Sequence, residues 1–270
     1  MDLKWLTPMD EGEFNAFWRG ILPVNDLANS LHRFIGVMEA GLTDAAVKHE
    51  KMASIRYTEV DEEYRHFFEE MEHESKVEVE CLFPALAWSS FFQTIYAFLE
   101  HEVIAVVRHM GTVKRIAAHP ESNKENKKGI YAAQKFLVNY FGMDPGKHKL
   151  WPELETLYQI RNCCAHDRGL LGEPADEGVA PTKAQKRDAI IRKYAAQHPE
   201  RLFIGSDGHA QPSRELCVHA LKTVETFLNR VIDEGRLWLG RWNESQGIKS
   251  ERTVRVGCLT PRVPFQSDDR

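Results

Sequence analysis

The chain has 270 residues, of which 43% are hydrophobic and 28% charged, a composition typical of a soluble globular protein with a sizeable core. No run approaches the roughly eighteen apolar residues of a membrane span, and the first residues lack the charged and apolar regions of a signal peptide. We therefore expect a cytoplasmic protein with no membrane partner. The five cysteines are odd in number and form no C-x-x-C pair, so they indicate neither a disulfide framework nor a zinc knuckle.

The formal net charge of −5 argues against a protein that coats nucleic acid non-specifically, but the charge is unevenly distributed. Residues 1–80 carry eighteen Asp or Glu and eight Lys or Arg, whereas residues 103–149 carry nine Lys or Arg and three acids. The second stretch offers a local basic surface that an RNA backbone can use. A solvated lysine-rich loop is an equally open interpretation of residues 120–129.

The first part of the chain is predicted to be a helical extension over residues 1–83. Residues 1–24 contain four aromatic residues, which we expect to dock on the body of the protein. Apolar residues spaced by threes and fours predict a helix from Asp26 that stops at Gly41. Thr43 is the predicted N-cap of a second helix over about 44–74, whose many acids form a solvent face.

A long apolar helix is predicted after Pro84, since the next 26 residues up to Met110 contain no Pro or Gly. One continuous face of this helix carries Trp88, Phe92, Ile95, Leu99, Val103 and Val106. Glu102 falls inside that face, where a carboxylate is costly unless a cation meets it. A loop over 111–129 and a short helix over 131–140 follow.

The remaining elements are a helix over about 151–165, a turn-rich loop over 169–181 and a charged helix over about 182–197. Residues 201–204 and the turn 205–208 predict a small β-hairpin. A last helix runs from Ser213 to about Gly235. We expect the tail, residues 236–270, to be partly ordered.

The run Arg161-Asn162-Cys163-Cys164-Ala165-His166 carries the chemistry that stands out. At 100° per residue Arg161 falls in the middle of the apolar side of its helix, so it needs a carboxylate partner or an opening to an anionic ligand. That side is formed by Leu150, Leu154, Leu157, Tyr158, Ile160, Cys164 and Ala165. We therefore predict that an acid of residues 98–102 pairs with Arg161 or orients His166. Arginine holds phosphate through a bidentate fork and histidine moves protons near neutral pH, a combination suited to phosphodiester chemistry.

This run, late in a helix, resembles the R-x(4-6)-H signature of the HEPN superfamily in its RN-x-x-x-H form. The resemblance covers about residues 84–235 and implies an all-α fold, a HEPN-like helical bundle with the small hairpin as an insertion. It implies a metal-independent endoribonuclease of toxin or phage-defence type that needs no cofactor, binds RNA, forms a homodimer and is accompanied by a possible antitoxin or regulatory protein.

In that reading Arg161 and His166 are the catalytic residues. His166 acts as general base or acid in attack by a ribose 2′-hydroxyl, Arg161 holds the phosphate, and Asn162 orients His166 or a phosphate oxygen. For the acid that faces this helix, the family analogy points to Glu100 and helical geometry points to Glu102, so both stay open.

One departure from the family concerns Arg168, because some HEPN toxins carry at this position a tyrosine that an antitoxin modifies. Three other readings remain open. His101-Glu102 begins a zincin H-E-x-x-H, but Ala105 stands where the second histidine belongs. Cys163 and His166 have the spacing of a nucleophile and its base. A non-catalytic HEPN-like module that binds RNA, a nucleotide or a protein partner is the main alternative.

Overall fold

Helices make up most of the part of the chain that the structure, a computed structural model, describes: residues 23–114, 129–174 and 178–245. The all-α prediction is confirmed. The helices are α1 (Pro23–Glu59), α2 (Arg65–Val77), α3 (Phe83–Val113), α4 (Gly129–Phe141), α5 (Trp151–His166), α6 (Lys183–Gln197) and α7 (Arg214–Ser245), and the strands are β1 (Leu202–Ile204) and β2 (Ala210–Pro212).

Helix α1 is one continuous helix, so the predicted stop at Gly41 is wrong. A glycine inside a helix costs only about 1 kcal/mol relative to alanine. Packing on α7 offsets that cost, since Ile35 is buried and the Arg214 guanidinium lies 2.9 Å from the Glu39 carboxylate. The chain breaks instead near Asp61, before a short 3-10 turn.

Helices α2 and α3 are joined by a π-helical turn, Glu78–Leu82, without an interruption of the helical course. The turn lies directly before Pro84, whose ring nitrogen has no hydrogen to donate to the preceding turn, and the widened turn accommodates that missing bond. The predicted domain boundary between residues 83 and 84 therefore lies inside a continuous helical rod.

This rod, Glu62–Gly111, is by length and composition long enough and apolar enough to cross a membrane. Its most apolar 18-residue window has a mean hydropathy of 1.3, and 39% of that window is buried inside the protein. A core helix of a soluble protein passes the same test, which makes the observation weak evidence for a membrane span.

The core is built around α3, which packs against α7, α4 and α5. All of the predicted apolar face of α3 is buried, from Trp88 to Val106. Opposite it lie Leu221, Val224 and Phe227 of α7 and the inner side of α5. Helix α3 is thus the element on which α5 packs, and α5 is the helix that carries the run from Arg161 to His166.

The predicted hairpin is present, with β1 and β2 antiparallel and Leu202 opposite Pro212. The hairpin also holds the segment that follows α5. The Ala210 N–H donates to the Gly169 carbonyl at 2.8 Å, and the Leu171 N–H donates to the Gly208 carbonyl at 3.1 Å. The hairpin therefore fixes the segment that follows α5.

Helix α7 ends at Ser245, beyond the predicted end near Gly235. The additional turns carry their own apolar contacts: Leu239 is buried, and the Trp238 ring lies edge-on to Phe141 with centroids 4.7 Å apart. The remainder of the predicted tail, residues 246–270, lies outside the described residues, as do residues 1–22 and much of the basic stretch at 115–128.

We expect Gly169→Ala to destabilise the protein more than Gly178→Ala. Both glycines have left-handed backbones, with φ of +85° and +83°, so both substitutions incur the left-handed cost of about 1–2 kcal/mol. A Cβ on Gly169 would also lie 2.7 Å from the Ala210 carbonyl oxygen, whereas a Cβ on Gly178 would have no atom of the described, non-adjacent residues within 4 Å. Urea unfolding should show an additional loss of about 1–3 kcal/mol for Gly169→Ala. Equal losses would contradict the close approach.

Candidate functional site

The site is built on α5, which begins at Trp151 with Pro152 in its first turn, where a missing N–H is tolerated. Its inner side is held by five fully or nearly buried residues, namely Leu154, Leu157, Ile160, Cys163 and Cys164. The helix ends at His166, after which the Asp167 and Gly169 N–H groups both donate to the Cys163 carbonyl. The left-handed backbones of Arg168 and Gly169 turn the chain away.

Arg161 is half-buried at the edge of the packing face, so its predicted place among the apolar side chains is corrected. The prediction counted Tyr158 and Ala165 as packing residues, but Ala165 is exposed and Tyr158 is only half-buried. The Arg161 Nη1 donates to Asn162 Oδ1 at 3.0 Å. Its Nε is buried and has no hydrogen-bond partner in the described part of the chain.

Glu100 is the acid of α3 that is electrostatically coupled to Arg161. The carboxylate is half-buried, and burial raises its pKa while the attraction of Arg161 opposes that rise. The coupling acts at longer range, because neither Glu100 nor Glu102 forms an ion pair within 4.0 Å of Arg161. Glu102 instead lies 3.0 Å from His101 Nδ1. The predicted close pairing of an acid with Arg161 is therefore not present.

Three tyrosines surround this charge pair and were missed in the sequence. Tyr96 of α3 is 1% exposed, and its hydroxyl has no hydrogen-bond partner within the described ranges. Its ring lies 5.7 Å from that of Tyr158, which in turn lies 5.4 Å from Tyr131 of α4. Burial, followed by the charge of Glu155, raises the pKa of Tyr131 to about 12. Spacing indicates only neighbours on the same helix, since Tyr96 precedes Glu100 by four residues and Tyr158 precedes Arg161 by three, and it gives no signal for Tyr131 on α4.

His166 is exposed at the end of α5 and makes neither a hydrogen bond nor an ion pair with any residue in the described ranges. Five residues separate it from Arg161, which places the two side chains about 140° apart around the helix. Asn162 lies between them in angle. With Glu155 and Gln159, Asn162 and His166 follow spacings of four, three and four residues, so these four side chains form one stripe along α5.

The chain after α5 is clamped by a charged network on α6. Arg187 pairs with Asp167 and, through Nε at 2.8 Å, with Asp188. Asp188 is only 4% exposed, and its second oxygen accepts from the Gly172 N–H at 2.9 Å. This buried carboxylate is satisfied on both oxygens, and it fixes the end of α5 on the core.

Glu153 is the acid that does lie on the packing side of α5. His219 Nε2 of α7 lies 2.7 Å from Glu153 Oε1, and the Tyr194 hydroxyl of α6 donates to the same oxygen at 3.3 Å. The hydrogen bond from His219 lowers the pKa of Glu153. One carboxylate thus ties three helices together below the candidate site.

The two cysteines of the motif are packing residues. Burial raises the pKa of Cys163 to about 12 and that of Cys164 to about 11. Both remain thiols near neutral pH, so a Cys163 nucleophile is disfavoured. In the parts of the chain that the structure describes, no group of three or more His, Cys, Asp or Glu side chains is placed to hold a metal ion.

In comparisons with known proteins, no family model matches the sequence, and neither a curated protein nor a solved structure matches the chain.

Glu100→Gln is expected to become more stable than wild type as pH rises. The difference in the free energy of unfolding between the variant and wild type should increase with pH. Because burial raises the folded-state pKa of Glu100 above its ordinary value of 4.5, ionisation favours the unfolded state, and its cost grows above that pH. Urea unfolding between about pH 4 and 7 measures the difference, with Glu102→Gln on the same helix as the control for net charge. A wild-type protein that gains stability over Glu100→Gln at higher pH would show that the attraction of Arg161 outweighs burial.

Glu153→Gln should lose less stability than wild type as the pH is lowered. The folded-state pKa of Glu153 lies below the ordinary value of 4.5, so its contribution is present above that pH and is lost as pH falls below it. Thermal unfolding from about pH 6 down to pH 3 should therefore fall more steeply for wild type than for the variant. His219→Gln removes the same hydrogen bond and is expected to flatten the curve likewise. Parallel curves for all three proteins would contradict the assignment.

Proposed function

We propose that this chain is a metal-independent endoribonuclease of HEPN type, a toxin or phage-defence effector that acts on RNA as a homodimer. The observation that carries the proposal is the state of Arg161. Among the described residues the Arg161 guanidinium makes one hydrogen bond and no ion pair, so its other N–H groups remain as donors for an anionic ligand. An RNA phosphate has the charge and the geometry that this fork accepts.

The proposed reaction is attack of a ribose 2′-oxygen on the adjacent phosphorus. His166 takes the proton from the 2′-hydroxyl, the new bond from the 2′-oxygen to phosphorus forms, and the bond from phosphorus to the 5′-oxygen breaks. The 5′-oxygen leaves as a hydroxyl after protonation, and the other product carries a 2′,3′-cyclic phosphate. Arg161 stabilises the negative charge that develops on the phosphoryl oxygens.

The angular offset within α5 supports the dimeric part of the proposal. Arg161 and His166 of one protomer lie about 140° apart around α5, so within one copy the two side chains point in different directions. Two α5 helices that face each other across a two-fold axis bring His166 of one copy toward Arg161 of the other. The exposed end of α5 leaves His166 accessible for such a contact.

A non-catalytic HEPN-like module is the second candidate, and the surroundings of His166 favour it. A general base usually has a hydrogen-bond partner that fixes its ring, and His166 has none in the described ranges. In that case Arg161 and Asn162 bind RNA, a nucleotide or a partner protein, and no bond is broken.

His166→Ala and Arg161→Ala are each expected to lower RNA cleavage by a factor of about 100 or more. The assay uses the purified protein with single-stranded RNA in EDTA, and circular dichroism checks that each variant is folded. Arg161→Lys should restore little activity, because an ammonium retains the charge but lacks the fork. His66→Ala and Arg33→Ala, exposed residues of the N-terminal helices, are the matched controls and should cleave like wild type.

The chemical route has its own test. A single 2′-deoxy nucleotide at the cleaved position should block cleavage, and the product should carry a cyclic phosphate. Cleavage that survives both alanine substitutions, or that stops in EDTA, would refute the proposal. RNA binding without cleavage in wild type, lost in Arg161→Ala, would establish the non-catalytic module instead.

A further inference from the structure

The surface around Arg161 is chemically mixed, and a phosphate alone does not use it. Along the outer side of α5 run Glu155, Gln159, Asn162 and His166, and the half-buried rings of Tyr131 and Tyr158 border this stripe. The stripe offers hydrogen-bond acceptors and donors, and the rings offer apolar area. Such a combination is typical of a surface that binds a nucleobase.

Two polar atoms on the buried side of the same surface lack hydrogen bonds to the described residues. The Tyr96 hydroxyl and the Nε of Arg161 are both buried, and neither has a hydrogen-bond partner among the residues that the structure describes. Tyr96 contacts the Tyr158 ring, and its hydroxyl is coupled electrostatically to Glu100 and Arg161. Buried polar atoms without partners are rare in proteins, and two of them in one cluster indicate a place where a ligand or its water completes the bonding.

Charge decides which part of an RNA chain fits beside Arg161. Glu155 is exposed, lies three residues before Tyr158 on α5 and acts electrostatically on the Tyr131 hydroxyl, and Glu100 acts on Arg161. Carboxylates on this surface repel a second phosphate. They accept hydrogen bonds from N–H groups, as glutamate does from the cytosine amino group.

We propose that the Tyr131–Tyr158 pair and Glu155 bind one unpaired base of the RNA, the base next to the phosphate that Arg161 holds. Because the two rings stand at 75° to each other, the base stacks on the face of one of them, and an N–H of its exocyclic amino group donates to the Glu155 carboxylate. Adenine, cytosine and guanine have such a group. Uracil lacks it and presents a single N–H between two carbonyl acceptors that a carboxylate repels. The substrate class is therefore single-stranded RNA with an amino-bearing base at the site, and this inference rests on the proposed function.

Binding is the decisive readout, because it separates base recognition from cleavage. The full chain carrying His166→Ala is titrated by fluorescence anisotropy with labelled oligouridine strands that contain one central adenine, cytosine, guanine or uracil. We expect the amino-bearing strands to bind about 10-fold more tightly than the all-uracil strand, the discrimination of one good base contact. The same strands in duplex form should bind weakly, since paired bases do not reach the tyrosines.

Matched variants assign the effect to named side chains. Glu155→Gln should remove the preference against uracil and leave the binding of the all-uracil strand unchanged or stronger. Tyr158→Leu should weaken all single strands by about 10-fold, the loss of one stacked base, and Tyr158→Phe should restore binding. Glu173→Gln and Tyr64→Leu, exposed residues elsewhere, are the controls and should behave like wild type.

Failure of this inference is distinguishable from failure of the proposed function. Equal binding of all four strands, or an unchanged affinity in Tyr158→Leu, overturns base recognition. If wild type cleaves RNA while Glu155→Gln leaves its cleavage pattern unaltered, only base recognition fails. If wild type does not cleave but the strands are discriminated as expected, only the nuclease fails.

Discussion

The candidate site depends on a guanidinium that is kept half-buried without an ion pair. Partial burial removes part of the hydration of Arg161, and the attraction of Glu100 acts on it at longer range. The inner side of α5 is packed in the core, which holds the helix rigidly, and the Asn162 amide oxygen accepts a hydrogen bond from Nη1. These contacts together set the position of the Arg161 guanidinium.

That rigidity comes from polar contacts at both ends of α5. Near the start, Glu153 binds His219 of α7 and Tyr194 of α6, and beyond the end, Arg187 and Asp188 of α6 hold the exit loop. Charged networks that are fully satisfied fix one arrangement of the elements they join. The hairpin adds main-chain bonds to the same loop through Gly169. Helix α6 and the hairpin therefore position the motif without belonging to it.

Local patterns in the sequence predicted most helices, the hairpin and the apolar face of α3, because periodicity and turn residues report short-range geometry. They failed where tertiary contacts decide. Gly41 ends a helix by propensity, yet packing on α7 continues it. Arg161 was placed too deep because Tyr158 and Ala165 were counted as packing residues. The partner of Glu153 is 66 residues away, and Tyr96, Tyr131 and Tyr158 come from three helices, so no local spacing predicts their meeting.

The distribution of charge restricts where a polyanion approaches this protein. The first eighty residues carry an excess of ten acids, and α2 exposes apolar side chains beside them, with Phe67 65% and Met71 63% exposed. Such a surface repels RNA and is typical of protein contact. Glu100, which attracts Arg161, and Glu155 on the outer side of α5 also reduce the positive potential of this surface. Affinity for RNA at α5 then comes from directed hydrogen bonds and stacking more than from summed positive charge, and it should depend less on salt than that of a protein that neutralises many phosphates.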